Sequence, residues 1–153
     1  MPVRIVVTTV GSQRIGRALS VITERASNLE PVFRVIADAI RESIADEIFS
    51  EGQGQWEPLS EQYAAAKVAR WGPQPMLIAS GQLLNSLTVQ GAPGHVEVIE
   101  PDRVRVGSTI EYLRYHQSTG ARTRIPRRAP INIRPEERQR WMTLIGDYIR
   151  ESR

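Results

Sequence analysis

The stretch Glu30-Pro31-Val32-Phe33-Arg34-Val35-Ile36-Ala37-Asp38-Ala39-Ile40-Arg41-Glu42-Ser43-Ile44-Ala45-Asp46-Glu47-Ile48-Phe49 decides how this chain is built. Pro31 suits the first turn of a helix, where an N–H has no intrahelical partner to lose. Phe33, Ile36 with Ala37, Ile40, Ile44 and Ile48 then recur at helical spacing, forming one apolar stripe that runs down to Gly52. Asp38, Glu42 and Asp46, spaced i, i+4, i+8, line one face of the same helix with carboxylates. Like charges at that spacing cost only ~0.2 to 0.5 kcal/mol per pair on an exposed helix, so a solvated face accounts for the row. The functional alternative is an acidic strip that docks a basic segment of a neighbouring copy.

Upstream, Ser12 stands where it can cap a helix whose apolar positions are Ile15, Ala18 with Leu19, Ile22, Ala26 and Leu29. The short joint Ser27-Asn28-Leu29-Glu30 predicts a helical hairpin or bent pair whose stripes share a core. Before it, Arg4-Ile5-Val6-Val7-Thr8-Thr9-Val10 is rich in β-branched residues and stops at Gly11, the pattern of a short strand.

Downstream, Gly52-Gln53-Gly54-Gln55-Trp56-Glu57-Pro58-Leu59 is a turn-rich linker, with Trp56 expected to anchor it by burying its indole. Ser60 can cap a short helix that ends near Trp71-Gly72-Pro73, and residues 71–79 read as a partly buried connector. Ser80 offers another cap, for a helix from Gly81 to about Leu87. The period then changes to two: His95-Val96-Glu97-Val98-Ile99 and Arg103-Val104-Arg105-Val106 flank Glu100-Pro101-Asp102. A three-residue loop would set Val98 opposite Val104, Val96 opposite Val106 and Glu97 opposite Arg105; a two-residue loop would set Val98 against Arg105. The three-residue pairing keeps like with like and is the expected one. With Leu87 to Gln90 and the N-terminal strand, the hairpin would complete a small antiparallel sheet covered by the two long helices.

Tyr112 to Arg134 has little periodicity and reads as a long Arg- and Pro-rich loop or arm. A last helix opens at Pro135, with Glu136 and Glu137 where the helix dipole favours acids, and is expected to bury Trp141, Leu144 with Ile145, and Tyr148 with Ile149. The fold class is therefore α+β: two long amphipathic N-terminal helices and a C-terminal helix on a small antiparallel sheet. At 153 residues and 41% hydrophobic composition, one domain over 1–153 is expected.

Charge is clustered. From Arg114 to Arg140 eight arginines face two glutamates, a net +6 in a chain whose total is +3. Of the 20 basic residues only Lys67 is lysine. A GC-rich coding sequence would also favour arginine over lysine, but it would not gather the arginines together. A basic tract on an otherwise mildly acidic chain suits an anionic partner, either nucleic acid or an acidic protein surface.

Chemistry is harder to find. With no cysteine, thiolate nucleophiles, iron–sulfur ligation and Cys-based zinc sites are excluded. His95 and His116 are the only histidines and have no ligand-spaced partners, so no metal and no cofactor are expected. Gly52 and Gly54 complete no phosphate-binding motif, no Gly-x-Ser-x-Gly elbow occurs, and nothing points to an enzyme. No apolar run reaches the ~18 to 20 residues of a membrane span, and the N-terminus lacks the pattern of a signal peptide, so synthesis in the cytoplasm is expected.

Several separated patches together carry a resemblance. They are Phe49, Gly52-Gln53-Gly54-Gln55-Trp56-Glu57-Pro58-Leu59-Ser60, Lys67, and Met76-Leu77-Ile78-Ala79-Ser80-Gly81-Gln82-Leu83-Leu84-Asn85-Ser86. Then come Val106-Gly107-Ser108, Tyr112, Tyr115-His116-Gln117, Gly120, Ile125-Pro126-Arg127-Arg128 and the closing helix. In this order, over about residues 45 to 150, the chain resembles the phage virion morphogenesis proteins, the tail-completion and head–tail joining proteins of Mu-like and P2-like tailed phages. It departs from them at Arg127, where a small residue is usual, and at Pro130, where an aromatic precedes an apolar strand that here reads Ile131-Asn132-Ile133.

The resemblance implies a structural protein of the virion, with no reaction to catalyse, acting at the head-proximal end of the tail as a ring in the neck. The implied partners are further copies of the chain, the tail tube or tail terminator, the head connector, and DNA in the channel, with no membrane involved. A ring needs two unlike complementary patches per subunit. Charge nominates Arg114, Arg122, Arg124, Arg127 and Arg128 on one side and Asp38, Glu42 and Asp46 on the other. The alternative reading is a small nucleic-acid-binding protein that uses the arginines of 114–140 on phosphates, with Tyr112 and Tyr115 nearby for stacking.

Overall fold

A computed structural model describes residues 12–119 and 125–151 of the chain. The strand expected at 4–10 lies outside them. Among the described residues the fold is α+β, six helices and one two-stranded antiparallel sheet.

The spine is α2 (Glu30–Phe49), about 30 Å long at 1.5 Å per residue. Its predicted stripe is the buried one, and it serves a different core at each end. Near the N-terminus Val32, Phe33 and Ile36 pack against Ile99, Val104, Trp141, Ile145 and Tyr148. Near the C-terminus Ile44 and Ile48 pack with Ile78, Leu83, Leu87 and Leu113, and Trp56 closes the edge. Ile40 touches both clusters.

Helix α1 (Ser12–Ser27) forms where its periodicity puts it, but it does not share a core with α2. Ile15, Leu19 and Ile22 are 63%, 58% and 41% exposed. The physical reason is that α2 has already spent its apolar stripe on the hairpin and on the other helices. Among the described residues α1 is held at its C-terminal end, against α6 (Pro135–Arg150): Arg25 Nη1 donates to the Tyr148 carbonyl at 2.8 Å and its guanidinium lies over the Tyr148 ring. The Tyr148 hydroxyl donates to the Asn28 carbonyl at 3.2 Å.

After α2, Glu51, Gly52, Gln53 and Gly54 all adopt positive φ, reversing the chain so that Trp56 folds back onto the core. Gly52 is required here twice over, since a Cβ at that position would lie 2.3 Å from the Trp56 ring. Then α3 (Glu61–Trp71) starts after Ser60, whose side chain makes no capping hydrogen bond, and stops at Gly72, φ +79°. The fourth helix, α4 (Gln82–Thr88), is capped one residue later than the sequence suggests. Gly81 takes the cap position in a left-handed conformation, while Ser80 Oγ accepts from the Gln82 N–H at 3.4 Å.

The hairpin β1 (His95–Glu100) and β2 (Arg103–Ser108) has the two-residue loop, not the expected three-residue one. Ile99 pairs with Val104, Val98 with Arg105 and Glu97 with Val106. The expectation failed because it required the inner face to be apolar throughout, and half of it is polar. Glu97 lies beneath α2, with Arg41 Nε at 3.4 Å and His95 Nε2 at 3.6 Å from its Oε2. Gln90 Nε2 donates to the other carboxylate oxygen at 2.8 Å. His95 Nδ1 sits 2.9 Å from the Ser86 carbonyl, and Ser86 Oγ is 2.8 Å from Ser108 Oγ. The Leu29 N–H also donates to the Pro101 carbonyl at 3.0 Å, tying the turn to the start of α2. Residues 87–90 do not join the sheet: Thr88 ends α4 and Val89 is exposed.

Within 112–134 a short helix, α5 (Leu113–Gln117), buries Leu113, and residues 131–133 form no strand. Helix α6 starts at Pro135, and the Arg134 N–H donates to Glu137 Oε2 at 2.8 Å, the backbone half of a capping box. Trp141, Ile145, Tyr148 and Ile149 are half-buried rather than buried, and Leu144 is exposed, because α6 covers an end of α2 from outside.

Candidate functional site

Segments far apart in sequence converge beside the C-terminal half of α2. Lys67, the sole lysine, is buried on α3, and its Nζ donates to the Gln74 and Pro75 carbonyls at 2.7 and 2.8 Å. Burial pushes its ammonium below the usual lysine range, and the nearby Glu51 carboxylate partly opposes that shift. Glu51 Oε1 accepts from the Met76 N–H at 2.8 Å. These contacts hold the Pro-rich connector 72–79 in one path.

Arg128 does the same for the far side. It is buried, with Nε donating to the Glu57 carbonyl at 2.8 Å and Nη2 to the Pro58 carbonyl at 3.2 Å. Gln117 clasps the following segment: its Nε2 donates to the Ile131 carbonyl at 2.7 Å and its Oε1 accepts from the Ile131 N–H at 3.2 Å.

Between these braced segments lies a groove of about 780 Å³. It is lined by Glu57 to Ser60 with Tyr63, by Met76, Leu77 and 79–83, and by Tyr112, His116, Ile125, Pro126 and Arg128. The lining mixes apolar residues with Glu57, Ser60, Ser80, Gln82, His116 and Arg128. His116 Nδ1 is buried without a hydrogen-bond partner. Desolvation lowers the pKa of His116 below the ordinary histidine value, and the Arg128 charge lowers it further. Burial likewise raises the Tyr112 phenol. Largely apolar walls that carry the Glu57 carboxylate, and an Arg128 guanidinium already engaged by the Glu57 and Pro58 carbonyls, suit a protein segment better than a phosphate. Among the described residues no group of three acidic or histidine side chains is placed to hold a metal ion.

The charged residues nominated by the sequence fall into three situations. Arg122 and Arg124 lie outside the described residues. Asp38, Glu42 and Asp46 are all exposed along α2, with Asp38 paired to Arg41. Of the basic set, Arg128 is turned inward as described, and Arg114 bonds Glu111 Oε1 and the Tyr115 hydroxyl, both at 2.9 Å. Arg127 is exposed, with Nε donating to the Gln117 carbonyl at 3.2 Å. Trp56 is half-buried against the core cluster, outside the groove.

Sequence reasoning passed over the groove itself. Tyr63, Met76, Leu77 and His116 were each readable only as members of a helix or connector. The signal was that the separate patches 52–60, 76–86, 112–117 and 125–128 had to come together somewhere, and they do so here.

The sequence profile of the phage virion morphogenesis family matches residues 10–150, nearly the whole chain. No curated protein and no solved structure gives a match. Among the described residues no helix is long and apolar enough to cross a membrane.

Proposed function

Since the chain belongs to the phage virion morphogenesis family, we propose that it completes the head-proximal end of the tail and joins it to the head, as a ring in the neck. A role in building the phage particle follows from the family; the position in the neck and the ring are our reading. It is a structural role without catalysis. The observation that carries the ring is that one subunit offers two unlike open surfaces at opposite ends of α2. One is the exposed stripe of α1 and the other is the groove beside Trp56 and α3. A contact repeated head to tail about an axis needs such a pair, whereas a two-fold dimer needs one self-complementary patch.

The test is electron microscopy of lysates from the parent phage or prophage lacking this gene, against a complemented control. Full heads and separate tails that join on complementation are expected. Normal infectious particles would overturn the reading and leave binding of nucleic acid by the arginine cluster as the account to pursue.

A further inference from the structure

We infer that the exposed stripe of α1 in one copy seats in the groove of the next, an inference that rests on the ring reading above. Ile15, Leu19 and Ile22 fall at i, i+4, i+7, the anchor spacing by which a helix lies in an apolar groove. From Ile15 to Ile22 the stripe spans ~10 Å, and the inner half of such a two-turn segment, 10–12 Å in diameter, occupies ~400 to 600 Å³. The groove, at about 780 Å³, accepts that volume with room for its side chains.

Charge commits the occupant further. Arg14 and Arg17, on the first turns of α1, are exposed and pair with no described acid. Glu57 on the groove wall and Glu61 at the start of α3 are exposed and pair with no described cation. Along the margin that carries Glu57 and Glu61 the two surfaces are opposite in sign, while Arg128 in the groove lining is buried and held by backbone carbonyls.

A subunit cannot satisfy itself in this arrangement. α1 is rooted at the N-terminal end of α2 through Arg25 and Tyr148, whereas the groove adjoins the C-terminal end, and α2 between them is ~30 Å long. The contact is therefore made between copies, head to tail, and each copy contributes a different surface to its two neighbours.

The chain has no cysteine, which makes the test direct. Ala18→Cys lies on the exposed stripe, and Ser60→Cys replaces a groove residue whose hydroxyl makes no capping bond. Particles built with the doubly substituted chain are treated with a short bifunctional maleimide, and linked peptides are identified by mass spectrometry. An Ala18–Ser60 link between copies is expected, with an oligomer ladder that neither single variant gives. A link between two copies of position 18 overturns the proposal in favour of helix-to-helix packing. Particles that contain the chain but yield no such link overturn the contact while leaving the virion role intact. Particles that lack the chain overturn the virion role and this contact with it. As a second measure, Leu19→Glu should fold normally, since Leu19 is exposed, yet weaken association at least ~30-fold, as expected for an interface anchor. Unchanged assembly of that variant would also overturn the proposal.

Discussion

Replacing Glu47 with alanine should cost the fold about 2 to 3 kcal/mol, although the residue reads in the sequence as one more charge on an amphipathic helix. Glu47 is 4% exposed. Its carboxylate accepts from Arg134 Nη2 at 2.6 Å and from Asn132 Nδ2 at 3.0 Å, tying the end of the Arg-rich segment to α2. Removing one partner of a buried ion pair commonly costs 3–5 kcal/mol, because the other charge is stranded. The Arg134 side chain is 32% exposed, so water can recover part of the loss, and the estimate falls to the lower figure. At 153 residues that corresponds to a fall in Tm of ~5 to 10 °C. Urea unfolding followed by circular dichroism should show a lower midpoint with an unchanged slope. A double-mutant cycle of Glu47→Ala with Arg134→Ala should return a coupling of at least ~1 kcal/mol. A loss below ~0.5 kcal/mol, or additive single effects, would refute the argument and reduce the pair to an ordinary surface contact.

Gly52→Ala should destabilise by at least ~2 kcal/mol, since it places a Cβ against the Trp56 ring at a positive φ; the urea midpoint and tryptophan fluorescence would report it together. Lys67→Met should lose ~2 to 3 kcal/mol in the same assay, by leaving the Gln74 and Pro75 carbonyls without their donor. His116 predicts an acid limb. Its pKa is lower in the folded chain, so as pH falls below ~6.5 the unfolded state takes up a proton first and stability declines until the folded pKa is passed. His116→Gln should flatten that limb and leave stability above pH ~7 nearly independent of pH.

Much of the architecture was legible because helices announce themselves by period. The stripe of α2, the Pro135 start of α6 and the Gly72 stop of α3 follow from spacing and from backbone chemistry at single residues. What was not legible is where polar groups are buried. Glu97 looked like an outward residue between two valines, yet it sits inward, where Arg41 of α2, 56 positions earlier, faces it. That pairing, with the inward contacts of His95 and Ser108, goes with a hairpin register one residue from the expected one. The exposure of α1 was equally hidden: the stripe marks Ile15, Leu19 and Ile22 as positions to cover, and periodicity alone cannot say that α2 leaves them open. The groove was hidden for a third reason, that its walls come from four separated segments, none of which has a motif of its own.

The arginine cluster shows how far charge counting reaches. Eight arginines between 114 and 140 suggest a surface for anions, but the fold divides them. Arg128 and Arg134 hold the segment to the body of the protein, and Arg114 is engaged with Glu111 and Tyr115. Arg127, Arg138 and Arg140 are exposed and form no described ion pair. Each phosphate neutralised on duplex DNA contributes about −0.9 to the slope of log K against log salt, so these three support a slope no steeper than ~−2.7. Adding Arg122 and Arg124 would extend it to ~−4.5. A titration of the purified chain with duplex DNA that gave a steeper slope would require Arg114, or exposed arginines outside the cluster such as Arg14 and Arg17, or the release of Arg128 or Arg134 from the carbonyls and carboxylate they now bond. Recruiting Arg128 would cost the brace that shapes the groove, so a phosphate contact by Arg128 and an intact groove are competing states, which substituting Arg14, Arg17 and Arg114 before repeating the titration would separate.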